Sequence, residues 1–269
     1  MIKIKNFIRF LCIAIFLVSL YFILDILVFS SLKTKNDVQD VKEVYYENPS
    51  NSVNEKLEDL RKINPDICGW IKIDDTNIDY PVLFNPDDTD YYLLHNYKKE
   101  DSRYGSITVD ARCTDSVKNK NVILHGHHMK DGQMFADLLK FDDFKFCKKH
   151  PLIQFDTTDS TAKWKIFSVF KTNTLPEQGE IFDYCVTDFK NKNEFNEYVK
   201  EVKKRSIIDY PTDVKYTDQL LTLSTCSYEY KDFRTVVVAR KLRRNEAEDS
   251  GKDKIELAGE PLMPECWDK

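Results

Sequence analysis

The chain begins with a long apolar stretch that differs from the rest of the sequence. Between residues 10 and 32 the only charged side chain is Asp25, and residues 1–9 carry three basic side chains. About 20 predominantly apolar residues are enough for a helix to cross a bilayer. We therefore predict a single transmembrane anchor over residues 10–32, with residues 1–9 in the cytoplasm and the remaining chain outside the cell.

Two segments follow the apolar stretch, a polar one and one with helical spacing. Residues 33–53 are polar and contain the turn-forming sequence NPSNS, so we interpret them as a stalk beyond the membrane. In residues 54–63, Leu57, Leu60 and Ile63 recur at helical spacing. This spacing predicts a short amphipathic helix.

Apolar and polar residues then alternate with a period of two, which is typical of β-strands. Helical spacing interrupts the alternation only in residues 134–150 and 193–205. Many short strands with few helical insertions predict a mainly β fold, a closed or nearly closed β-barrel rather than an alternating β/α sheet. The predicted strands are residues 68–73, 77–84, 106–113, 121–126, 152–157, 163–173, 220–226 and 235–242.

The amino-acid composition argues against several classes of function. The 269 residues include 40 basic and 45 acidic side chains, and no basic cluster lies outside the N-terminus, which argues against nucleic-acid binding. Seven cysteines without a CxxC pair argue against a zinc ribbon or a thioredoxin-type motif. Beyond Leu242 the sequence turns polar, and we expect residues 243–269 to form a frayed C-terminal tail.

Three side chains of the barrel region suit acyl transfer. A predicted strand ends at Gly126 and is followed directly by His127, a second strand ends at Cys226, and Arg234 enters the strand after it. A cysteine thiolate can attack a peptide carbonyl to form a thioester, and an imidazole can activate the thiol or protonate the leaving amine. Arginine offers a rigid fork of charged donors for the oxyanion. Strand, short loop and returning strand can place that guanidinium beside the thiol.

Each of these residues has a simpler interpretation when it is taken alone. A strand-end cysteine is more often a small buried side chain, and a single arginine is more often a surface charge. Their joint occurrence, in this order and at the ends of predicted strands, is what favours a catalytic site.

With these residues identified, the sequence resembles the sortases, which are membrane-anchored cysteine transpeptidases of Gram-positive bacteria, and it resembles class B most closely. The resemblance rests on TLSTC ending at Cys226 with Arg234 downstream, and on ILHGHHMKDGQMF around His127. It runs from about residue 55 to residue 242, and we assign residues 54–242 to the catalytic domain. Further similar segments are residues 64–84, 91–97 and 104–112.

The resemblance implies an eight-stranded sortase-type β-barrel with an N-terminal helix and helical insertions. It implies Cys226 as the nucleophile, His127 as the catalytic histidine and Arg234 as the residue that holds the substrate and its oxyanion. Ser224 shares a strand face with Cys226, so it can orient the imidazole or the substrate, or can be a plain barrel-wall serine. Thr225 is a second candidate for that role, although alternation turns it to the other face.

The activity that the resemblance implies has two substrates. A C-terminal sorting signal of a secreted protein, NPxTN or a related five-residue motif, is cleaved, and the acyl group passes to an amine of a peptidoglycan precursor or of a pilin. The expected partners are this peptide, this amine and the membrane, without nucleic acid, metal or cofactor. The expected location is the cell membrane, crossed once, with an extracellular catalytic domain.

Two other functions remain open from the sequence. One is a hydrolytic cysteine peptidase with the same catalytic residues. The other is a non-enzymatic surface module that binds a metal or haem through His125, His127 and His128. The sequence also leaves open whether any of the other six cysteines form disulfides, and it does not give the oligomeric state.

Overall fold

The computed structural model describes residues 2–47, 49–158 and 160–267. Its backbone contacts divide the chain into two units, residues 1–43 and 44–269. The first unit contains helix α1 (Ile2–Leu24), a π-helical turn (Asp25–Phe29) and most of helix α2 (Ser30–Tyr46).

Helix α1 contains the candidate membrane span. Ile4–Leu24 is long and apolar enough to cross a membrane, and the described side chains of its most apolar stretch are not buried inside the protein. The apolar helix thus begins before residue 10, and Asp25 follows it as the first residue of the π-helical turn.

The second unit is built on β-strands. They are β1 (Ile67–Lys72), β2 (Asp79–Phe84), β3 (Ile107–Val109), β4 (Asn121–His125), β5 (Leu152–Thr157), β6 (Lys163–Thr172), β7 (Ile208–Asp209), β8 (Leu220–Ser227), β9 (Phe233–Lys241) and β10 (Glu256–Leu257). Eight of them close into a barrel in the order β1, β2, β3, β4, β8, β9, β6, β5, and β7 pairs with β10. The predicted mainly β, eight-stranded fold is confirmed, and each predicted strand corresponds to one barrel strand.

After α2, the described part of the second unit contains four helices in addition to the strands. Helix α3 (Val53–Ile63) begins at Ser52, which forms a capping box with Glu55. Helix α6 (Lys192–Arg205) begins at Asn191, whose side chain accepts two backbone N–H groups, and it buries an apolar face that includes Phe195 and Val202. Helices α4 (Tyr91–Leu94) and α5 (Phe144–Lys149) are short, and 3₁₀ turns occupy Ser116–Lys118, Ala136–Asp142, Pro176–Gln178 and Lys252–Lys254.

Two strand pairs of the barrel are parallel, β2 with β3 and β4 with β8. Parallel neighbours need a long connection, and the chain between β4 and β8 contains α5, β5, β6 and α6. Because parallel strands end at the same edge, the C-terminal ends of β4 and β8 lie side by side. The largest fully buried side chains include Trp70, Trp164, Phe155 and Phe167.

The expectation of a frayed C-terminal tail is wrong for residues 243–267. The Glu246 carboxylate accepts both Nη1–H and Nη2–H of the buried Arg240, each at 2.7 Å, and Arg243 binds Asp218. Further along, β10 pairs with β7. The polar side chains that suggested a solvated tail instead form ion pairs with charged side chains of the barrel region.

Candidate active site

Cys226 and Arg234 lie directly opposite each other on the antiparallel strands β8 and β9. Side chains at such positions point to the same face, with Cβ atoms about 4.5–5.5 Å apart. Both side chains are half-buried. The structure therefore brings the predicted thiol and the predicted guanidinium together on one face of the barrel wall.

His127 joins this pair from the neighbouring strand. Past the end of β4, the Gly126 N–H donates to the Ser224 carbonyl at 3.3 Å, and the Thr225 hydroxyl donates to the Gly126 carbonyl at 2.7 Å. These bonds keep the chain alongside β8. His127 is the next residue of the chain, two positions beyond the last residue of β4.

The imidazole of His127 is oriented by a backbone carbonyl. Its Nε2 lies 2.8 Å from the carbonyl oxygen of Leu93, in helix α4. Because a carbonyl oxygen only accepts, Nε2 carries a hydrogen in this arrangement. Among the described residues the ring is held only through Nε2, which leaves Nδ1 to exchange a proton.

Ser224 and Thr225 are both buried, at 1% and 2% exposure. The Ser224 hydroxyl hydrogen-bonds with that of Tyr184 at 2.8 Å, whereas Thr225 ties β8 to Gly126 on the other face. Burial raises the pKa of Tyr184 far above its usual value, with the charge of nearby Arg234 acting in the opposite direction. Tyr184 is thus a neutral hydroxyl beside the site, and it lies in an irregular segment that no sequence pattern marked.

The three histidines of the motif do not converge on a common ligand. The His125 Nε2 contacts the Asp110 carboxylate at 2.8 Å, His127 binds Leu93, and the His128 Nδ1 donates to the Cys226 carbonyl at 3.1 Å. Within the described chain, the only cluster with metal-ligand geometry includes His125 but neither His127 nor His128. A metal or haem module built on all three is therefore not supported.

That cluster consists of Asp110, His125 and Cys185, whose ligand atoms lie within 4.8 Å of one another. The donor types suit zinc, but Arg112 already donates to both carboxylate oxygens of Asp110, at 3.0 and 2.7 Å. Burial alone would raise the pKa of Asp110, yet the bonds from His125 and Arg112 hold it well below its usual range. We interpret the cluster as an ion-pair network that supports the end of β4.

The other cysteines differ from Cys226 in their surroundings. All seven cysteines lie in the described part of the chain and none is in a disulfide. Burial raises the pKa of Cys113 to about 12 and that of Cys147 and Cys185 to about 11, so these thiols stay protonated and inert.

Known proteins are similar to this chain in sequence and fold. A profile of the Sortase domain matches residues 71–242. Sortase B of Listeria monocytogenes is 41% identical over 201 residues, which are 73% of this chain and 78% of the relative. A Staphylococcus aureus sortase B–substrate complex superimposes with a TM-score of 0.72 at 31% identity, covering 80% of this chain and 99% of the other. A structure of sortase B complexed with triglycine gives a TM-score of 0.70 at 32% identity, covering 79% and 99%.

The closed eight-stranded barrel, the Sortase domain match over residues 71–242 and the 41% identical relative show that the chain belongs to the sortase family of cysteine transpeptidases. Within that family it is a class B sortase, as its similarity to sortase B proteins shows.

Proposed function

We propose that this enzyme cleaves a C-terminal sorting signal similar to NPxTN and transfers the acyl group to an amine of a peptidoglycan precursor or of a pilin. The observation that carries the proposal is the pairing of Cys226 with Arg234, with His127 two residues beyond the end of the adjoining strand β4. A thiol, a guanidinium and an imidazole on one face are the groups that acyl transfer needs.

The proposed reaction has two steps. The Cys226 sulfur attacks the Thr carbonyl carbon, Arg234 stabilises the oxyanion, and the C–N bond breaks while His127 delivers a proton to the leaving amine. The incoming amine then attacks the thioester carbon and releases the thiolate, and the amine's proton passes to His127. Because Leu93 holds Nε2, these proton transfers use Nδ1.

Two relatives support a peptide and an amine as partners, since one structure is a complex of sortase B with substrate and another is a complex with triglycine. The Tyr184–Ser224 pair lies on the face of Cys226, and we propose that it lines the peptide groove. The apolar helix Ile4–Leu24 is the proposed single-pass anchor, with the N-terminus in the cytoplasm and the catalytic domain outside. Tethering the enzyme beside a membrane-held substrate raises their effective concentration.

The decisive test is covalent capture of a peptide. The full-length protein is incubated with a pentapeptide library built on Asn-Pro-x-Thr-Asn, and the acyl-enzyme is sought by intact mass spectrometry. We expect a thioester adduct with the wild-type protein and with the control Cys147→Ala, and no adduct with Cys226→Ala. An adduct on Cys226→Ala would refute the assigned nucleophile.

A second arm separates transfer from hydrolysis. Triglycine is added to the reaction, and the products are analysed by liquid chromatography. A ligated peptide–triglycine product is expected from a transpeptidase. Release of the free acid alone, at every triglycine concentration, would identify a hydrolytic cysteine peptidase instead.

A further inference from the structure

The chain continues beyond the matched Sortase domain, which ends at residue 242. Its last described part, residues 260–267, is called here the C-terminal brace. The Leu262 N–H donates to the Lys204 carbonyl at 2.8 Å, and the Cys266 N–H donates to the Gln178 carbonyl at 3.2 Å. The brace also lies on Gly179 so closely that a Cβ there would be 2.9 Å from the Glu265 Cβ.

The end of the brace reaches the turn between Cys226 and Arg234. The Trp267 ring packs against Phe233, with centroids 6.0 Å apart, and against Tyr230, at 5.8 Å. The Tyr230 hydroxyl also donates to the Trp267 carbonyl at 3.1 Å. Phe233 is fully buried and directly precedes Arg234.

The same turn holds the Arg234 guanidinium. Nη1 of Arg234 donates to the carbonyls of Asp232 and Phe233, each at 3.1 Å. The position of these two oxygens therefore sets the direction of the guanidinium fork.

The turn is held from outside at several points. Asp232 has a φ of +57°, a left-handed conformation that is uncommon for residues other than glycine and that persists where neighbours enforce it. The Thr174 hydroxyl donates to the Asp232 carbonyl at 2.7 Å, and the Gln178 side chain donates to the Lys231 carbonyl at 2.8 Å. Gln178 is the residue that the brace binds through Cys266.

We infer that the C-terminal brace fixes the β8–β9 turn and thereby aims Arg234 at the oxyanion, with Trp267 as the positioning residue. The inference rests on the proposed transpeptidase reaction. Trp267 does not touch the reacting atoms. It acts through Phe233 and the turn carbonyls, and a small misplacement of a group that stabilises a transition state is costly.

The first test compares the steady-state kinetics of the full-length protein, point variants and one truncated variant in detergent micelles. Trp267→Ala, and a stop after Gly259, should lower kcat about tenfold while KM changes less, because the oxyanion contact strengthens in the transition state. Trp267→Phe keeps a ring against Phe233 and should restore most of the rate. The matched control is Leu257→Ala, which changes an exposed apolar residue of β10 just before the brace and should react like the wild type.

A double-mutant cycle distinguishes positioning from general stabilisation. In an Arg234→Lys background, Trp267→Ala should change kcat less than about twofold, since the group it aims is gone. A full tenfold loss in that background would show that Trp267 acts elsewhere and would overturn the inference.

Hydrogen exchange gives a readout that needs no substrate. Trp267→Ala should accelerate amide exchange in the turn, residues 228–233, and leave the barrel strands unchanged. If exchange is unchanged, or if the wild type reacts and Trp267→Ala matches it, the inference fails while the proposed function stands. If the wild type forms no thioester with any library peptide, the proposed function fails and the inference fails with it.

Discussion

At the scale of single residues, Arg234 shows why the guanidinium is needed. Among the described residues, both of its hydrogen bonds come from Nη1, so Nε and Nη2 remain available to a substrate oxygen. A lysine has one nitrogen, which cannot bind the turn carbonyls and the oxyanion from two fixed directions.

Arg234→Lys should therefore lower kcat/KM about 10²–10³-fold, the loss that follows removal of one oxyanion donor. Steady-state kinetics with the best library peptide and triglycine measure it. Arg61→Lys, an exposed arginine on α3, is the control and should be neutral. Wild-type rates for Arg234→Lys would remove this residue from the mechanism.

The sequence predicted the positions of residues that lie in repeating patterns, and it did not predict the positions of residues in irregular segments. Cys226 and Arg234 lie near the ends of two adjacent strands with clear alternation, so their pairing could be predicted. Tyr184 and Trp267 lie in irregular segments whose positions depend on contacts distant in the chain. No local pattern encodes such contacts.

At the scale of elements, alternation predicted all eight barrel strands, but not their limits or their pairing. The third predicted strand ends early, at Val109, because the Asp110 carboxylate accepts the Arg112 N–H and turns the chain. Helix α4 and strands β7 and β10 are too short for a period to show. The parallel pairing of β4 with β8 depends on the long connection between them, which sequence spacing does not determine.

The chain directly after β4 is closely packed at Gly126. A Cβ on Gly126 would lie 2.9 Å from ring atoms of the buried Phe135, whose N–H also binds the His127 carbonyl at 2.9 Å. Gly126→Ala should displace His127, lower kcat/KM and reduce the free energy of unfolding by about 1–3 kcal/mol. Kinetics and urea titration test this, with Gly259→Ala, which has open space around it, as the control. Unchanged activity in Gly126→Ala would show that the chain relaxes without moving the imidazole.

At the scale of the whole molecule, ion pairs and hydrogen bonds attach the C-terminal segment to the barrel. Hydrogen bonds from Arg240 are the main cause that lowers the pKa of Glu246 to about 2. Lys165, which is also buried, contributes a further bond to Glu246 at 3.2 Å and one to the Ser250 carbonyl at 2.9 Å. The polar sequence after Leu242 could not reveal this, because a solvated tail and an ion-paired segment have the same composition.

The lowered pKa of Glu246 makes the stability of the fold depend on pH. Glu246 has a lower pKa in the folded chain than the usual value near 4.3 in the unfolded chain, so its contribution is complete above about pH 5 and is lost as the pH falls towards 2. Glu246→Gln should reduce the free energy of unfolding by about 2 kcal/mol at pH 7, and the difference from the wild type should shrink on acidification. Urea titrations at pH 7 and pH 3 measure both, with the exposed Glu256→Gln as control. A difference that is equal at the two pH values would contradict the assigned pair.

The closure of the barrel has a consequence for biogenesis. The Cys226 thiol and the Arg234 guanidinium are on β8 and β9, and the His127 imidazole follows the end of β4. Strands β4 and β8 become neighbours only when the chain between them has folded. A polypeptide threaded unfolded through a secretion channel carries these groups far apart and has no assembled acyl-transfer centre. In the proposed topology the active site therefore assembles only when the domain folds on the far side of the membrane. Until then Cys226 lacks the neighbouring groups that acyl transfer needs.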